Sequence, residues 1–452
     1  MELVASPPLR LPFLAPRAAR AARMPRWQRA EASASGPRTV AVIGGGVAGL
    51  ACAKRLGELG VSATVFDTGK RGPGGRASSR QWRGQVVDHA SQFIATTDPE
   101  FRELIASSGA ARPLQRFGRL RKDGFQPEDG DRWVGIQGMG GIVSKLAEGV
   151  NVRQDIWVPP SNGLSVEDGS WSVAIPGPTR ATERFDAAVI AHNGKCAERL
   201  TSSTPAREVH ALLRTNFAAS VTRAQPGCGR FTLNQIYSLL FEVPKGLMPT
   251  DFAAAFVENE PILRWLSSNT AKLQQSAECE VWTALSSPSF GKQHKAPQEF
   301  LEGTAKEAEV IELMLAAVER AVALPSGSLQ AASATKLQLW GAALPITRWA
   351  SRDATDFAWS SAHRIGIAGD WLSSCPERAS TIEAAWLSGV RLAEHIAKQP
   401  AEDAGIQLGE SGGAFVPVEA DFGGGGSAPG AWVDPEKGKG KGKGKGRKGW
   451  KG

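Results

Sequence analysis

Six residues near the start of the chain have the types and the spacing of a phosphate-binding turn. Residues 44–49 read GGGVAG and fit the pattern G-x-G-x-x-G. Gly44 suits a tight turn out of a strand, Gly46 has no Cβ to obstruct a pyrophosphate, and Gly49 allows a helix to pack closely. The pattern therefore predicts a site for a dinucleotide.

The elements that must position this turn can be predicted on both sides of it. Residues 39–43 form a short apolar run that is typical of a buried parallel strand. A helix from Val47 to about residue 57 would direct the N–H groups of Val47 and Ala48 at the phosphates. Residues 63–66 predict a second strand that ends at Asp67, where an acid accepts hydrogen bonds from the adenosine ribose.

The loop after Asp67 favours FAD over NAD. Residues 74–76 (GGR) resemble the G-G-R motif of flavin amine oxidases and their relatives. This resemblance implies that Gly75 and Arg76 contact the pyrophosphate of a non-covalently held FAD.

A second motif resembles the renalase-like branch of the same superfamily. Residues 88–93 (DHASQF) are similar to its D-x-G-A-Q-Y/F segment, with Ala90 where that branch usually has glycine. The segment runs beside the flavin in the family, so the resemblance implies contacts from Ser91 and Gln92.

The resemblance continues to about residue 398. Residues 135–139 match a G-x-x-G-M stretch, and residues 265–272 are similar to a stretch of renalase-like members. Residues 192–196 and 340–345 look like plant and algal members of this branch, many of which are plastid proteins.

A C-terminal motif supplies the other half of the expected site. Residues 364–370 predict a strand that ends in an acid. The resemblance implies that Gly369 and Asp370 lie near the ribityl-phosphate side of the flavin.

Residues 380–383 (STIE) form a capping box, which predicts a helix that runs to about Lys398. The N-terminus of that helix, at Thr381 and Ile382, would face the N1–C2=O edge of the flavin. There it would favour negative charge by about 0.5–2 kcal/mol.

These patterns predict an α/β protein with a GR2-like, Rossmann-type FAD-binding domain and an α+β substrate domain with a mixed sheet. We assign residues 37–95, 142–197 and 355–398 to the FAD-binding domain, with its parallel sheet and helices. Residues 96–141 and 198–354 form the substrate domain, in which residues 280–285 read as an alternating strand and residues 307–321 as a helix.

Both ends of the chain look like appendages. Residues 1–36 carry spaced arginines and almost no acids, which predicts a plastid transit peptide, with a mitochondrial one or plain disorder as alternatives. Residues 399–452 end in Lys-Gly repeats and are predicted to be a disordered tail. We favour a solvated tail without specific function over one that binds RNA, and the folded part is expected to bind no nucleic acid.

Other classes of protein are disfavoured by composition. The net charge of +8 comes from the two ends, and without them acids outnumber bases. The five cysteines are scattered, which argues against a disulfide scaffold and a metal site. No run of about 18 apolar residues predicts a membrane span.

The expected chemistry is hydride transfer from a small molecule to N5 of FAD, followed by reoxidation by O₂ or another acceptor. Renalase-like proteins oxidise dihydronicotinamide isomers, so the resemblance implies an NAD(P)H-type donor. A desaturase or isomerase is a further reading, against which the lack of a long apolar segment counts. A non-enzymatic organelle factor is an alternative from another class, but intact cofactor motifs argue against it.

An amine oxidase on this fold is another alternative, but its aromatic cage commonly uses two tyrosines. The chain has one tyrosine, Tyr237, although fourteen tryptophans could substitute. Trp371 is assigned equally to flavin contact and to core packing. No catalytic base is assigned, and His89, His192 and His363 are candidates by position only.

Overall fold

The computed structural model describes residues 37–176, 181–221, 229–330, 334–398 and 413–418. The predicted transit peptide and most of the predicted tail lie outside these residues. The helices in the described part are α1 Val47–Glu58, α2 Pro99–Ser107, α3 Gly138–Ala147, α4 Gly194–Ser202, α5 Arg207–Leu213, α6 Asn269–Lys272, α7 Pro288–Gln293, α8 Ala305–Ala321 and α9 Ile382–Lys398.

Short strands make up most of the rest. In chain order they are β1 Thr39–Ile43, β2 Ser62–Phe66, β3 Ser79–Trp82, β4 Gln85–Asp88, β5 Ile94–Ala95, β6 Ala111–Pro113, β7 Phe117–Arg121, β8 Gly124–Pro127, β9 Arg132–Gly135, β10 Asn151–Arg153, β11 Leu164–Glu167, β12 Ser170–Ile175, β13 Ala181–Phe185, β14 Ala187–Ile190, β15 Thr215–Phe217, β16 Phe231–Leu233, β17 Ile236–Pro244, β18 Ala254–Val257, β19 Leu263–Ser268, β20 Cys279–Ser286, β21 Ala334–Trp340, β22 Thr347–Ser351, β23 Ala358–Ser360, β24 Ile365–Ile367 and β25 Gly413–Pro417.

A six-stranded sheet in the order β10-β2-β1-β14-β24-β23 forms the first layer. All its pairings are parallel except that of β23 with β24. One face packs against α1 and α9, and the other against a core that includes β12, α4 and α5. Because both faces are covered, β1 is an apolar run without alternation, as its sequence predicted.

Helices α1 and α9 lie against each other at a position that admits no side chain. A Cβ on Gly389 of α9 would lie 2.2 Å from the carbonyl oxygen of Ala48 in α1. At the far end of α1, Gly60 adopts a φ of +81° and the Val61 N–H reaches the Leu56 carbonyl, which ends the helix in a Schellman motif. The close approach at Gly389 fixes the N-terminal half of α1 against the middle of α9.

A seven-stranded sheet in the order β21-β17-β20-β19-β18-β7-β8 forms the second unit. It is antiparallel except where β18 pairs with β7. Helix α8 covers one face with Val310, Met314 and Val318. The division into two domains stays a prediction, and α3 runs across its boundary at residue 141.

The strand predicted at residues 280–285 is present as β20, but its predicted alternation is wrong. Val281 to Ser286 are all buried. The reason is that the face away from α8 packs against β4 and the residues that follow it.

The prediction of disorder for residues 399–452 is wrong for one segment. Strand β25 pairs antiparallel with β22, and Phe415 packs against Trp349 and Trp371. No helix in the described ranges is long and apolar enough to cross a membrane.

Candidate functional site

The glycine-rich turn between β1 and α1 has the geometry that its sequence predicted. Gly44 adopts a φ of +113°, and a Cβ there would lie 2.9 Å from the Ala191 carbonyl oxygen. A Cβ on Gly49 would lie 2.0 Å from the Gly44 carbonyl oxygen, so this glycine serves helix packing. A Cβ on Gly46 would have no heavy atom within 4 Å, which leaves room for a ligand to approach the backbone.

The N-terminus of α1 offers hydrogen-bond donors to that space. Its N-cap is Gly46, so no side chain caps the helix. Val47 and Ala48, the first two helical residues, line the cleft in front of the turn. Free N–H groups at a helix N-terminus are donors suited to a phosphate.

Asp67 holds the turn in shape. Its Oδ2 accepts from the Gly45 N–H at 2.8 Å, and its Oδ1 accepts from the Gly69 N–H at 2.8 Å. A Cβ on Gly45 would lie 2.8 Å from the Asp67 side chain, a constraint that the sequence interpretation missed. Asp67 still lines the cleft, and each oxygen keeps a lone pair for a ribose hydroxyl.

The second glycine loop is joined to the first. The Gly74 N–H donates to the Gly45 carbonyl at 2.7 Å, and Gly75 adopts a φ of +53°. Arg76, which follows, forms two hydrogen bonds to the carboxylate of Asp370, both of 2.9 Å, and a third of 2.9 Å to the Ala343 carbonyl. Two motifs far apart in the chain therefore meet through an ion pair on the cleft.

The C-terminal strand is shorter than predicted. Strand β24 ends at Ile367, and Asp370 lies in the following loop instead of at the end of the strand. The cause is a turn in the backbone, where the Gly369 N–H donates to the Ser388 hydroxyl of α9 at 2.9 Å.

The predicted capping box at residues 380–383 is wrong. The Thr381 hydroxyl accepts from the Ala384 N–H at 3.0 Å, so Thr381 is the cap and α9 begins at Ile382. The Ser380 hydroxyl donates instead to the Pro345 carbonyl. The Glu383 carboxylate turns away to accept from the N–H groups of residues 97 and 98, because those donors begin a different helix. The N-terminus of α9 nonetheless lies on the cleft.

The cleft has a volume of about 380 Å³, within the range of small-molecule sites. It brings together most of the residues that the sequence singled out for cofactor binding, which are Gly44, Gly46, Val47, Ala48, Asp67, Gly75, Arg76, Ser91, Gly369, Asp370, Thr381 and Ile382. Gly49 lies behind it in the helix contact, and Gln92 lies in an adjoining space.

That space, here called the chamber, has a volume of about 80 Å³. Its wall is largely apolar and shares Arg76, Ser91, Trp340, Leu344 and the start of α9 with the cleft. Its larger apolar side chains are Phe93, Ile236, Trp265, Leu285, Trp340 and Leu344. No carboxylate lines it among the described residues. The chamber is therefore a place for an apolar part of a small molecule.

Only one of the three candidate histidines lines the cleft. His192 does so, and burial lowers its pKa to about 4. His89 packs on Trp340 behind the chamber, and burial lowers its pKa to about 3. His363 contacts Glu208 at 2.8 Å and lines neither space.

Two aromatic assignments are also decided. Trp371 is buried and stacks on Phe231 with ring centroids 4.3 Å apart, so it is a core residue whose edge borders the cleft. Tyr237 is buried, donates to the His294 carbonyl at 2.7 Å and lines neither the cleft nor the chamber.

The sequence interpretation missed a buried polar network beside the chamber. Lys272 is fully buried, forms an ion pair with Asp88 and contacts Gln92. The resemblance of residues 265–272 to renalase-like proteins assigned no role to Lys272. The available signal was a lysine in the short segment that follows the apolar strand β19, where it ends α6. Within the described ranges, no group of His, Cys, Asp or Glu is arranged to hold a metal ion.

Comparisons with known proteins agree with this geometry. The sequence model of the NAD(P)-binding Rossmann-like domain matches residues 42–107. Putrescine oxidase bound to putrescine and cyclohexylamine oxidase from Brevibacterium oxydans IH-35A each superpose with a TM-score of 0.56 at 12% identity, covering 80% of this chain and 99% of theirs. A fatty acid isomerase from P. acnes superposes with a TM-score of 0.53 at 11% identity, covering 79% of this chain and 98% of its own.

At such low identity these likenesses show the fold. The chain has a Rossmann-type dinucleotide-binding domain combined with a mixed sheet, in the arrangement that these oxidases and the isomerase share. The predicted fold class is confirmed.

Proposed function

We propose that the protein is an oxidoreductase that holds FAD non-covalently in the cleft. The observation that carries the proposal is the convergence of two helix N-termini, those of α1 and α9, on one cleft that shares part of its wall with an apolar chamber. An unobstructed glycine turn, the carboxylate of Asp67 and the guanidinium of Arg76 at the same cleft fit the pyrophosphate and ribose of a dinucleotide.

Each part of the chain has a distinct task in this proposal. The turn at Gly46 and the first N–H groups of α1 bind the pyrophosphate together with Arg76, and Asp67 accepts from the adenosine ribose. The N-terminus of α9 favours negative charge on the nearby edge of the bound group. Bound FAD supplies the capacity to accept a hydride, while the protein orients the substrate and excludes water.

We propose a renalase-like substrate, a dihydronicotinamide isomer, whose hydride passes to the cofactor, with O₂ or another acceptor taking the electrons onward. The chamber supports this because its tryptophan and phenylalanine side chains suit a flat ring. No general base is required, because a hydride leaves with its electron pair.

Amine oxidation is the second candidate, favoured by the likeness of fold to putrescine oxidase and cyclohexylamine oxidase. The chamber argues against it because no carboxylate lines it in the described part of the chain, although Trp265 and Trp340 stand where tryptophans could replace the usual tyrosines. The likeness to a fatty acid isomerase keeps an isomerase as a further reading, and a non-enzymatic organelle factor remains the alternative from a different class.

The two oxidase functions can be separated by anaerobic mixing of the FAD-loaded protein with each donor. Preparations of NADH that contain its irregular isomers should bleach the flavin absorption within the mixing time of a stopped-flow instrument. Putrescine and cyclohexylamine should leave it unchanged. Bleaching by an amine alone would contradict the renalase-like assignment and support the amine oxidase.

We also propose that the protein is a plastid protein, with import into mitochondria as the alternative. The arginines and near absence of acids in residues 1–36 support this. Incubation of the radiolabelled full chain with isolated chloroplasts and mitochondria tests it. Protease-protected, shortened product in chloroplasts is expected, and protection in mitochondria alone would contradict the plastid assignment.

A further inference from the structure

A fully buried ion pair lies behind the chamber and is not used by the proposed function. The Nζ of Lys272 lies 3.0 Å from Oδ2 of Asp88, and neither side chain is exposed. The other carboxylate oxygen, Oδ1, accepts from the Ser79 hydroxyl at 2.6 Å and from the Met139 N–H at 2.8 Å. Burial lowers the pKa of Lys272, while the charge of Asp88 acts to raise it.

This pair fixes the amide of Gln92, which lines the chamber. Oε1 of Gln92 accepts from Lys272 at 2.9 Å and from the Ser267 hydroxyl at 3.0 Å. Its Nε2 donates to the carbonyls of Asp88 and Ala90 at 3.0 and 3.1 Å. Because an ammonium only donates and a carbonyl only accepts, the amide cannot flip, and both its donors and both its lone pairs are used.

The same network reaches an aromatic ring of the chamber wall. The indole N–H of Trp265 donates to the Ser267 hydroxyl at 3.0 Å, and Phe93 stacks on Trp265 with ring centroids 5.4 Å apart. On the other side, the indole N–H of Trp340 donates to the His89 carbonyl at 3.1 Å. These tryptophans therefore line the chamber while their indole N–H groups are bonded to other residues.

We propose that Lys272 and Asp88 are positioning residues that hold Gln92 and, through Ser267, Trp265, so that the chamber accepts a flat, uncharged ring and rejects an ammonium group. The inference rests on the proposed function and specifies the class of substrate for the same site.

The charges and hydrogen bonds of the wall give the selectivity its physical basis. An ammonium group that entered would lose its hydration and find no carboxylate in the wall, since Asp370 is already paired with Arg76. A cation–π contact with the tryptophans would offset only part of that loss. A neutral ring would gain contacts with Trp265 and Trp340. A polar substituent on that ring would meet the hydroxyl of Ser91, which borders both the cleft and the chamber.

The test uses the FAD-loaded full chain, titrated with nicotinamide as a neutral ring and with cyclohexylamine as a cation, while the flavin absorption spectrum is recorded. The variant Ser267→Ala removes the link between Gln92 and Trp265 and leaves the ion pair intact. Ser238→Ala is the matched control, because Ser238 is also a buried serine of this sheet and its hydroxyl has no partner in the described part of the chain.

Nicotinamide should perturb the spectrum of the wild-type protein, and cyclohexylamine at pH 7 should not. Ser267→Ala should weaken nicotinamide binding by about three- to tenfold, and Ser238→Ala should leave it unchanged. Equal binding by Ser267→Ala and the wild type, or tight binding of cyclohexylamine, would overturn the inference.

A second variant tests the ion pair itself, so that the result does not depend on Ser267 alone. Lys272→Met combined with Asp88→Asn removes both charges together, which avoids an uncompensated buried ion. If this variant folds, as judged by circular dichroism, its nicotinamide binding should fall at least as far as that of Ser267→Ala. Wild-type binding by the folded double variant would contradict the positioning role. A wild-type protein that takes up no FAD would instead contradict the proposed function.

Discussion

At the scale of single residues, two carboxylates hold hydrogen-bond donors of the cleft in position. Each carboxylate oxygen of Asp67 accepts a hydrogen bond from a backbone N–H group of the glycine turns, and both oxygens of Asp370 accept from Arg76. Acids beside a pyrophosphate site would repel the ligand if they acted only through their charge. Their geometry indicates that they act by fixing donors in place, which preorganises the cleft.

If Asp370 acted only by charge repulsion, a neutral residue in its place would strengthen FAD binding, and we expect the opposite. Asp370→Asn should weaken FAD binding by about tenfold, because Arg76 loses a bidentate partner and its guanidinium is no longer fixed. Quenching of FAD fluorescence during titration measures this. Asp356→Asn is the control, because Asp356 is a buried partner of Arg391 and does not line the cleft. Tighter binding by Asp370→Asn would show that the carboxylate acts mainly through repulsion.

The buried His89 predicts a pH dependence of stability. Burial lowers its pKa from 6.5 to about 3, so the unfolded chain binds one more proton than the folded chain between these values. The free energy of unfolding should therefore decrease as the pH falls from about 6.5 towards 3. In His89→Phe this decrease should be less steep by the contribution of one proton, as measured by urea unfolding at several pH values. Identical slopes for both proteins would contradict a neutral buried His89.

At the scale of elements, two helices line the cleft and one strand supports a loop of its wall. Gly389 lets α9 lie directly on α1, so that the N-termini of both helices open onto the same space. Strand β25 packs Phe415 against Trp371, the residue that follows Asp370. A segment distant in sequence from the motifs therefore supports the loop that carries one of their acids.

Removal of the Phe415 ring should lower both the stability of the protein and its affinity for FAD. Phe415→Ala should lower the free energy of unfolding by about 2–3 kcal/mol, less than the largest values for core phenylalanines because β25 lies at the edge of its cluster. It should also weaken FAD binding, because Trp371 and then Asp370 lose their support. Phe300→Ala is the control, since Phe300 is 75% exposed, and it should change neither urea unfolding nor FAD titration. Unaltered stability of Phe415→Ala would show that β25 is not part of the folded core.

At the scale of the whole molecule, the parts of the site that could be predicted from sequence are local. The strand, glycine turn, helix, second strand and Asp67 follow one another, and each is encoded by its own residue types. The cap of α9 could not be predicted, because Ser380 and Glu383 found partners in distant loops. The Lys272–Asp88 pair and the chamber wall join residues that meet only after the sheets have packed, so no local pattern reveals them.

Non-covalent binding of FAD in the cleft is best tested by the absorption spectrum of the full-length protein after incubation with FAD and gel filtration. We expect retained bands near ~375 and ~450 nm, and release of all the flavin into the supernatant when the protein is precipitated with acid. A colourless protein after incubation with excess FAD would show that the cleft does not bind FAD, and flavin that stays with the precipitate would contradict the non-covalent attachment.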